Sequence, residues 1–332
     1  MPDGWVPPVD AWQAGFPASA DAIMCSYVGA QSLDPAVAAR AIEALTPSCR
    51  HAQTIERARF VDAHGFTNDY LILYWTTREA RDRFWAQEGA GGWWHRALAG
   101  ESEASVWREE FAALPARFET LFSSRCPRGA GTLGETLGEP TRRHGYWGGM
   151  RDRIAAAAND PLEPFNSAIR RVEAGGRHVS VRPQGNLCII RSGQDWSACS
   201  ADERALYEEA VLPRLQRGMR FLRDEGVTAG CLSCRFSQEL TLDGSPLERS
   251  FTSLIFVSLA HLERWAHTHP THIAIFEAFM AMAAERKNRL ALALWHEVFV
   301  IDAEQSLFEY IDCAGNGHYG FAPGENALSS LA

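Results

Sequence analysis

The chain has 332 residues, 46% of them hydrophobic, and its 41 acidic against 32 basic side chains leave a formal charge of −9. That length suffices for one large core or two domains without metal or disulfide staples, and the acidic balance argues against nucleic acid, whose phosphates need clustered Lys and Arg. No run approaches the ~18 apolar residues of a membrane helix, and MPDGWVPPVDAW has neither the basic nor the apolar region of a signal peptide, so a cytoplasmic protein without a membrane partner is expected.

In chain order, Pro35–Leu45 has the periodicity of an amphipathic helix. Tyr70–Thr76 (YLILYWT) has the composition of a buried strand and runs at once into a helix from Arg78 to about Gln87. Residues 126–145 (CPRGAGTLGETLGEPTRRHG) are the most Gly- and Pro-rich stretch between structured segments and the best boundary. Beyond it, Asn186–Ile190 reads as a short strand, Ala201–Glu225 as a long helix, and Ala229–Leu242 as strand material ending in the turn signal Asp243-Gly244. Ser250–Leu259 is a further strand, leading into a helix that ends near His267. The segments 71–85 and 254–265 share an apolar strand, a tight connection and a helix with a basic residue and an aromatic near its end. Repeated units of this kind fit an α+β fold of two ferredoxin-like halves, at about 20–125 and 144–313 with 126–143 as linker. Packed like a dimeric α+β barrel, they would make a single globule around a central pocket.

The eight cysteines are scattered, so reduced and mostly buried thiols are expected, and the lone Cys231-x-x-Cys234 is assigned to a strand in the core. Histidine is more informative. In His267-Thr-His-Pro-Thr-His272, Pro270 suits the first turn of a helix, and the positive end of the helix dipole would keep His272 neutral, as an iron ligand must be; a surface His cluster fits the spacing as well. In Leu294-Trp-His-Glu-Val-Phe-Val300, strand alternation sets His296 on a face with Val298 and Val300, and Glu297 on the other. His296 is then either a hydrogen-bonded core residue or a pocket acid/base. Arg151-Asp152-Arg153 fits a surface ion-pair ladder or an anion clamp, and Ser192, in a polar turn after a strand, lacks the GxSxG context of a hydrolase nucleophile.

Taken together and in order, HGYWGGMRDR (144–153), IRSGQDW (190–196), LERWAHTHPTH (262–272), WHEV (295–298) and FEYIDC (308–313) resemble the haem-containing aldoxime dehydratases. The stretches SYVGAQ (26–31), LILYWT (71–76) and RFETLF (117–122) agree more loosely. The resemblance implies haem b, ferrous in the active state, with His272 as its proximal ligand. It implies that an aldoxime binds iron through its nitrogen, that His296 protonates the leaving hydroxyl, that Ser192 hydrogen-bonds the oxime oxygen, and that Arg153 and Glu119 support the distal side. It also implies a homodimer. Departures from the family pattern are a slightly longer spacing between His272 and His296, Trp295 in place of Tyr, and Ala11 in place of a pocket Met; they bear on substrate size and shape. The leading expectation is therefore a haem lyase making nitriles. A peroxidase-like or chlorite-dismutase-like haem oxidoreductase, or a non-catalytic haem carrier or sensor, stands behind it.

Overall fold

The computed structural model describes residues 1–314 except 50, 87, 166–169, 175–176 and 302. A first series of elements runs β1 (Ile23–Ser32), α1 (Pro35–Cys49), β2 (Thr54–Val61), β3 (Thr67–Trp75), α2 (Arg78–Ala86), α3 (Glu88–Leu98) and β4 (Ser105–Ala113). β5 (Phe118–Phe122), the short α4 (Gly149–Arg153), β6 (Arg170–Ala174) and β7 (His178–Arg182) follow. A second series then runs β8 (Cys188–Asp195), α5 (Ala201–Leu206), α6 (Leu212–Asp224), β9 (Cys231–Leu240), β10 (Pro246–Phe256), α7 (Leu259–Thr268), α8 (Pro270–Glu285) and β11 (Ala293–Val300), before β12 (Leu307–Ile311).

The twelve strands form one sheet in the order β5-β11-β8-β10-β9-β2-β3-β1-β4-β12-β7-β6, every named pairing antiparallel. Each series contributes four adjacent strands in the same internal order, fourth-first-third-second: β4-β1-β3-β2 and β11-β8-β10-β9. β5, which follows the first series, pairs with β11 of the second, and β12, which follows the second, pairs with β4 of the first. This exchange ties the two series together.

The sheet curls so that one face of both series encloses a shared core. Tyr27, Tyr70 and Trp107 from the first meet Phe251, Trp295 and Phe299 from the second. Phe111 and Phe299 stack edge to face at 5.1 Å, and the Tyr27 and Tyr70 hydroxyls bond Ser253 (3.0 Å) and Ser237 (2.8 Å). On the opposite face, α1–α3 cover the first series, and α6–α8 cover the second. β3 explains its own composition: Tyr70, Ile72 and Tyr74 enter the shared core while Leu71, Leu73 and Trp75 pack under the helices, so both faces demand apolar residues.

Most expected elements are present, with local corrections. The Arg78 helix ends at Ala86, and Gln87 lies outside the described residues. The helix expected over 201–225 carries a π-helical turn at Tyr207–Val211. Pro213, the second residue of α6, has no N–H to donate to the preceding turn, which accounts for the break in the regular pattern. The strand expected over 186–190 instead spans Cys188–Asp195, because Arg191, Gly193 and Asp195 pair across both neighbouring strands. Ser192 therefore stands inside a central strand, not in a turn. Cys25, Cys49, Cys126, Cys188, Cys199, Cys231 and Cys234 are free thiols.

Candidate functional site

Local sequence aims the site residues. On β11, Trp295 and Phe299 point into the shared core, while Val298 and Val300 join the cluster beneath the helices; His296 alternates with Glu297 in the same way. Glu297 turns inward, where Tyr74 donates to it and the Ala130 amide approaches at 2.8 Å. On β8, Ile189 is inward and Cys188 and Ile190 outward, so Ser192 leaves on the outward face. His296 and Ser192 are cross-strand partners in register. On the other side of Ser192, Thr252 of β10 is its partner, giving a row of three across adjacent strands.

A buried ion pair anchors this row. Glu119 on β5 lies opposite Val298. Arg153, at the end of α4, donates from Nε to Glu119 Oε2 (2.7 Å), from Nη2 to Oε1 (3.1 Å), and from Nη1 to the Arg143 carbonyl (2.6 Å). Both side chains are almost fully buried, which overturns the surface-ladder alternative for Arg153. His296 Nε2 sits 2.9 Å from Arg153 Nη2 and 2.9 Å from Glu119 Oε1. One ring nitrogen thus faces a donor and an acceptor together: protonated, it donates to Glu119; bare, it accepts from Arg153. Burial by itself would raise the Glu119 carboxyl, but the Arg153 charge, then His296, outweigh it and hold the group down at about 2.

His272 lies in the first turn of α8, with Pro270 at the helix start and His269 capping it through the Thr271 amide. It packs edge-on against Trp265 (4.8 Å), which packs on the outward Phe256 of β10 (6.1 Å). His272 is therefore on the same side of the sheet as Ser192 and His296, away from the shared core. Burial pushes its pKa down, favouring the neutral ring. Its buried Nδ1 makes no well-formed hydrogen bond among the described residues, although the Ala266 carbonyl nearby opposes part of that shift.

The segment 144–153 serves both ends of this face. Trp147 stacks on His267 (5.0 Å) and meets His272 edge-on (6.1 Å), Arg151 binds Glu263 of α7 (2.7 Å), and Arg153 reaches Glu119. Gly148, at φ +98°, makes the turn that starts α4. The structure brings Glu119, Arg153 and His296 into direct contact and sets Ser192 beside His296; His272 makes no hydrogen bond with these four among the described residues. Trp295 faces the shared core against Gly193 and under Arg191, so it does not line the face that carries His296. Sequence reading missed Thr252, whose place beside Ser192 depends on strand register, a long-range property.

A family model described as haem-containing dehydratase matches residues 26–317. An aliphatic aldoxime dehydratase of Pseudomonas sp. is 36% identical over 327 residues, covering 94% of this chain and 91% of the relative. The aliphatic aldoxime dehydratase of Rhodococcus erythropolis is 34% identical over 94% of this chain and 90% of its own. The phenylacetaldoxime dehydratase of Bacillus sp. is 31% identical over 97% and 93%. Among solved structures, an aldoxime dehydratase superposes with a TM-score of 0.89 at 35% identity, covering 97% of this chain and 95% of its own. An aldoxime dehydratase co-crystallised with butyraldoxime gives 0.88 at 31% identity, with 99% and 91% coverage.

Proposed function

We propose, from the premise that this chain belongs to the haem-containing dehydratase family, that it converts aldoximes, R-CH=N-OH, to nitriles, R-C≡N, and water. The observation that carries this reading is the buried Glu119–Arg153 pair converging on His296 beside Ser192.

The residues fit a haem. His272 is a buried, neutral-favoured imidazole whose Nδ1 lacks a well-formed hydrogen bond among the described residues, and aromatic rings surround it. It would hold haem b as proximal ligand, on the outward face of the second series and not in the shared core, which is filled by side chains. When bound and ferrous, the group supplies an electrophilic iron for the oxime nitrogen and an electron reservoir. The remaining work belongs to the protein. Ser192 would hydrogen-bond the oxime oxygen and fix the hydroxyl next to His296. Protonated His296 would give its proton to that hydroxyl, which leaves as water; the neutral ring then takes the carbon-bound proton, so one proton moves from carbon to oxygen. Glu119 and Arg153 would hold the ring in both states, since Nε2 has a partner whether or not it carries a proton.

The matching strand orders β4-β1-β3-β2 and β11-β8-β10-β9 support two ferredoxin-like halves within about 20–125 and 144–313. Exposed Trp147, Phe276 and Met280 support a homodimer. A cytoplasmic location accords with the free thiols, and among the described residues no helix is long and apolar enough to cross a membrane.

The test is anaerobic, dithionite-reduced protein mixed with an aliphatic or aryl aldoxime. Nitrile is expected. Peroxide-dependent dye oxidation with no nitrile would favour a haem oxidoreductase, and haem binding with neither activity would favour a carrier or sensor.

A further inference from the structure

Thr252 is the unexplained member of the row His296–Ser192–Thr252. Its neighbours Phe251 and Ser253 point into the shared core, so by alternation Thr252 leaves on the outward face with Ser192. It is 1% exposed, and its Oγ1 has no hydrogen-bond partner among the described residues. Other buried hydroxyls of these strands are satisfied: Ser250 by Gln194 (3.1 Å), Ser253 by Tyr27 (3.0 Å) and Ser237 by Tyr70 (2.8 Å). An orphaned buried hydroxyl is costly to keep, so one in the row of the reacting groups calls for a partner.

Its surroundings restrict that partner. Thr252 is too enclosed for substrate or bulk water to reach Oγ1 directly. Across the row its neighbours are Ser192 on β8 and Phe236 on β9, and along its own strand face they are Ser250, already bonded to Gln194, and Leu254. Phe236 and Leu254 have no polar atom to offer. Ser192 does, and residues directly opposite in an antiparallel pair have Cβ atoms about 4.5–5.5 Å apart, so a rotamer change brings two hydroxyls into contact.

We propose that Thr252 is a positioning residue that acts through Ser192: its hydroxyl donates to Ser192 Oγ, which turns the Ser192 hydrogen toward the oxime oxygen. This rests on the aldoxime dehydratase reading above. Donation to Ser192 polarises its hydroxyl and makes it the better donor. The hydroxyl pair gives Oγ1 the partner it lacks among the described residues.

The experiment is a double-mutant cycle on the haem-loaded enzyme with Thr252→Val, Thr252→Ser, Ser192→Ala and the Ser192→Ala/Thr252→Val pair, measuring kcat and KM for nitrile formation, with thermal melting of each variant. Thr252→Val should lower kcat about tenfold, the size of one lost hydrogen bond, with KM nearly unchanged. Thr252→Ser should restore most of the rate, and the double variant should be no slower than Ser192→Ala alone. Thr252→Val should also melt at or above the wild-type temperature, because it removes an unpaired hydroxyl. Wild-type rates in Thr252→Val, multiplicative losses in the double variant, no rescue by Ser, or a clearly lowered melting temperature each overturn the proposal while an active wild type leaves the dehydratase reading standing. A wild type that makes no nitrile overturns that reading, and this inference with it.

Discussion

His296 and Ser192 stand directly opposite each other on neighbouring antiparallel strands, and both side chains leave the sheet on the face away from the shared core. Residues set opposite each other by strand register between paired neighbours cannot drift apart, so a hydroxyl held by one is kept within reach of the other. Removing the imidazole should therefore damage chemistry and little else. His296→Ala is expected to keep its haem and bind aldoxime while turnover falls by ~10² to 10⁴, the usual worth of a general acid. Haem content from the visible spectrum, beside nitrile formation rates, checks this.

His272→Ala should do the reverse. On the proposed ligation, the buried, neutral-favoured imidazole in the first turn of α8 is what would hold the haem, so the purified variant should carry little of it. A normal haem load with normal activity would remove His272 as the ligand.

Glu119 links the site to acid stability. Its carboxyl falls from an ordinary 4.5 to about 2 in the folded protein. A depressed folded pKa means that the stabilisation is present above about 4.5 and is lost as pH falls toward about 2, and a shift of this size corresponds to about 3 kcal/mol. Glu119→Gln should flatten urea stability against pH in that window. Glu119→Ala should cost about 3–5 kcal/mol at neutral pH, because Arg153 is left buried without its partner.

Glu297, one residue from His296 but on the other face, acts in the opposite sense. Burial raises its carboxyl to about 7, against the pull of Arg191 and the Tyr74 hydrogen bond. A raised folded pKa gives stability that is full below about 4.5 and is lost as pH climbs through about 7. Glu297→Gln should remove that decline between pH 5 and 8, whatever its offset in absolute stability; an unchanged slope in denaturation curves would contradict the assignment.

The legible part of this protein is local. Periodicity located α1, apolar composition located β3, a helix ending near His267 was read where α7 stands, Pro270 marked the start of α8, and alternation alone separated the faces of His296 and Glu297. What local pattern could not carry is pairing. Arg153 and Glu119 are 34 positions apart and meet only because β5 crosses to pair with β11. The same long-range register put Ser192 inside a strand and Thr252 beside it. Motif resemblance pointed to Glu119, Arg153, Ser192 and His296 as one set; composition and periodicity could not have joined them.

The most direct measurement is nitrile produced by wild type and His296→Ala under nitrogen with dithionite and one aldoxime, each normalised to bound haem. The account predicts rapid nitrile formation by wild type and a rate lower by ~10² or more in the variant at equal haem occupancy. Equal rates from the two proteins, or no nitrile from a fully loaded and reduced wild type, would contradict it.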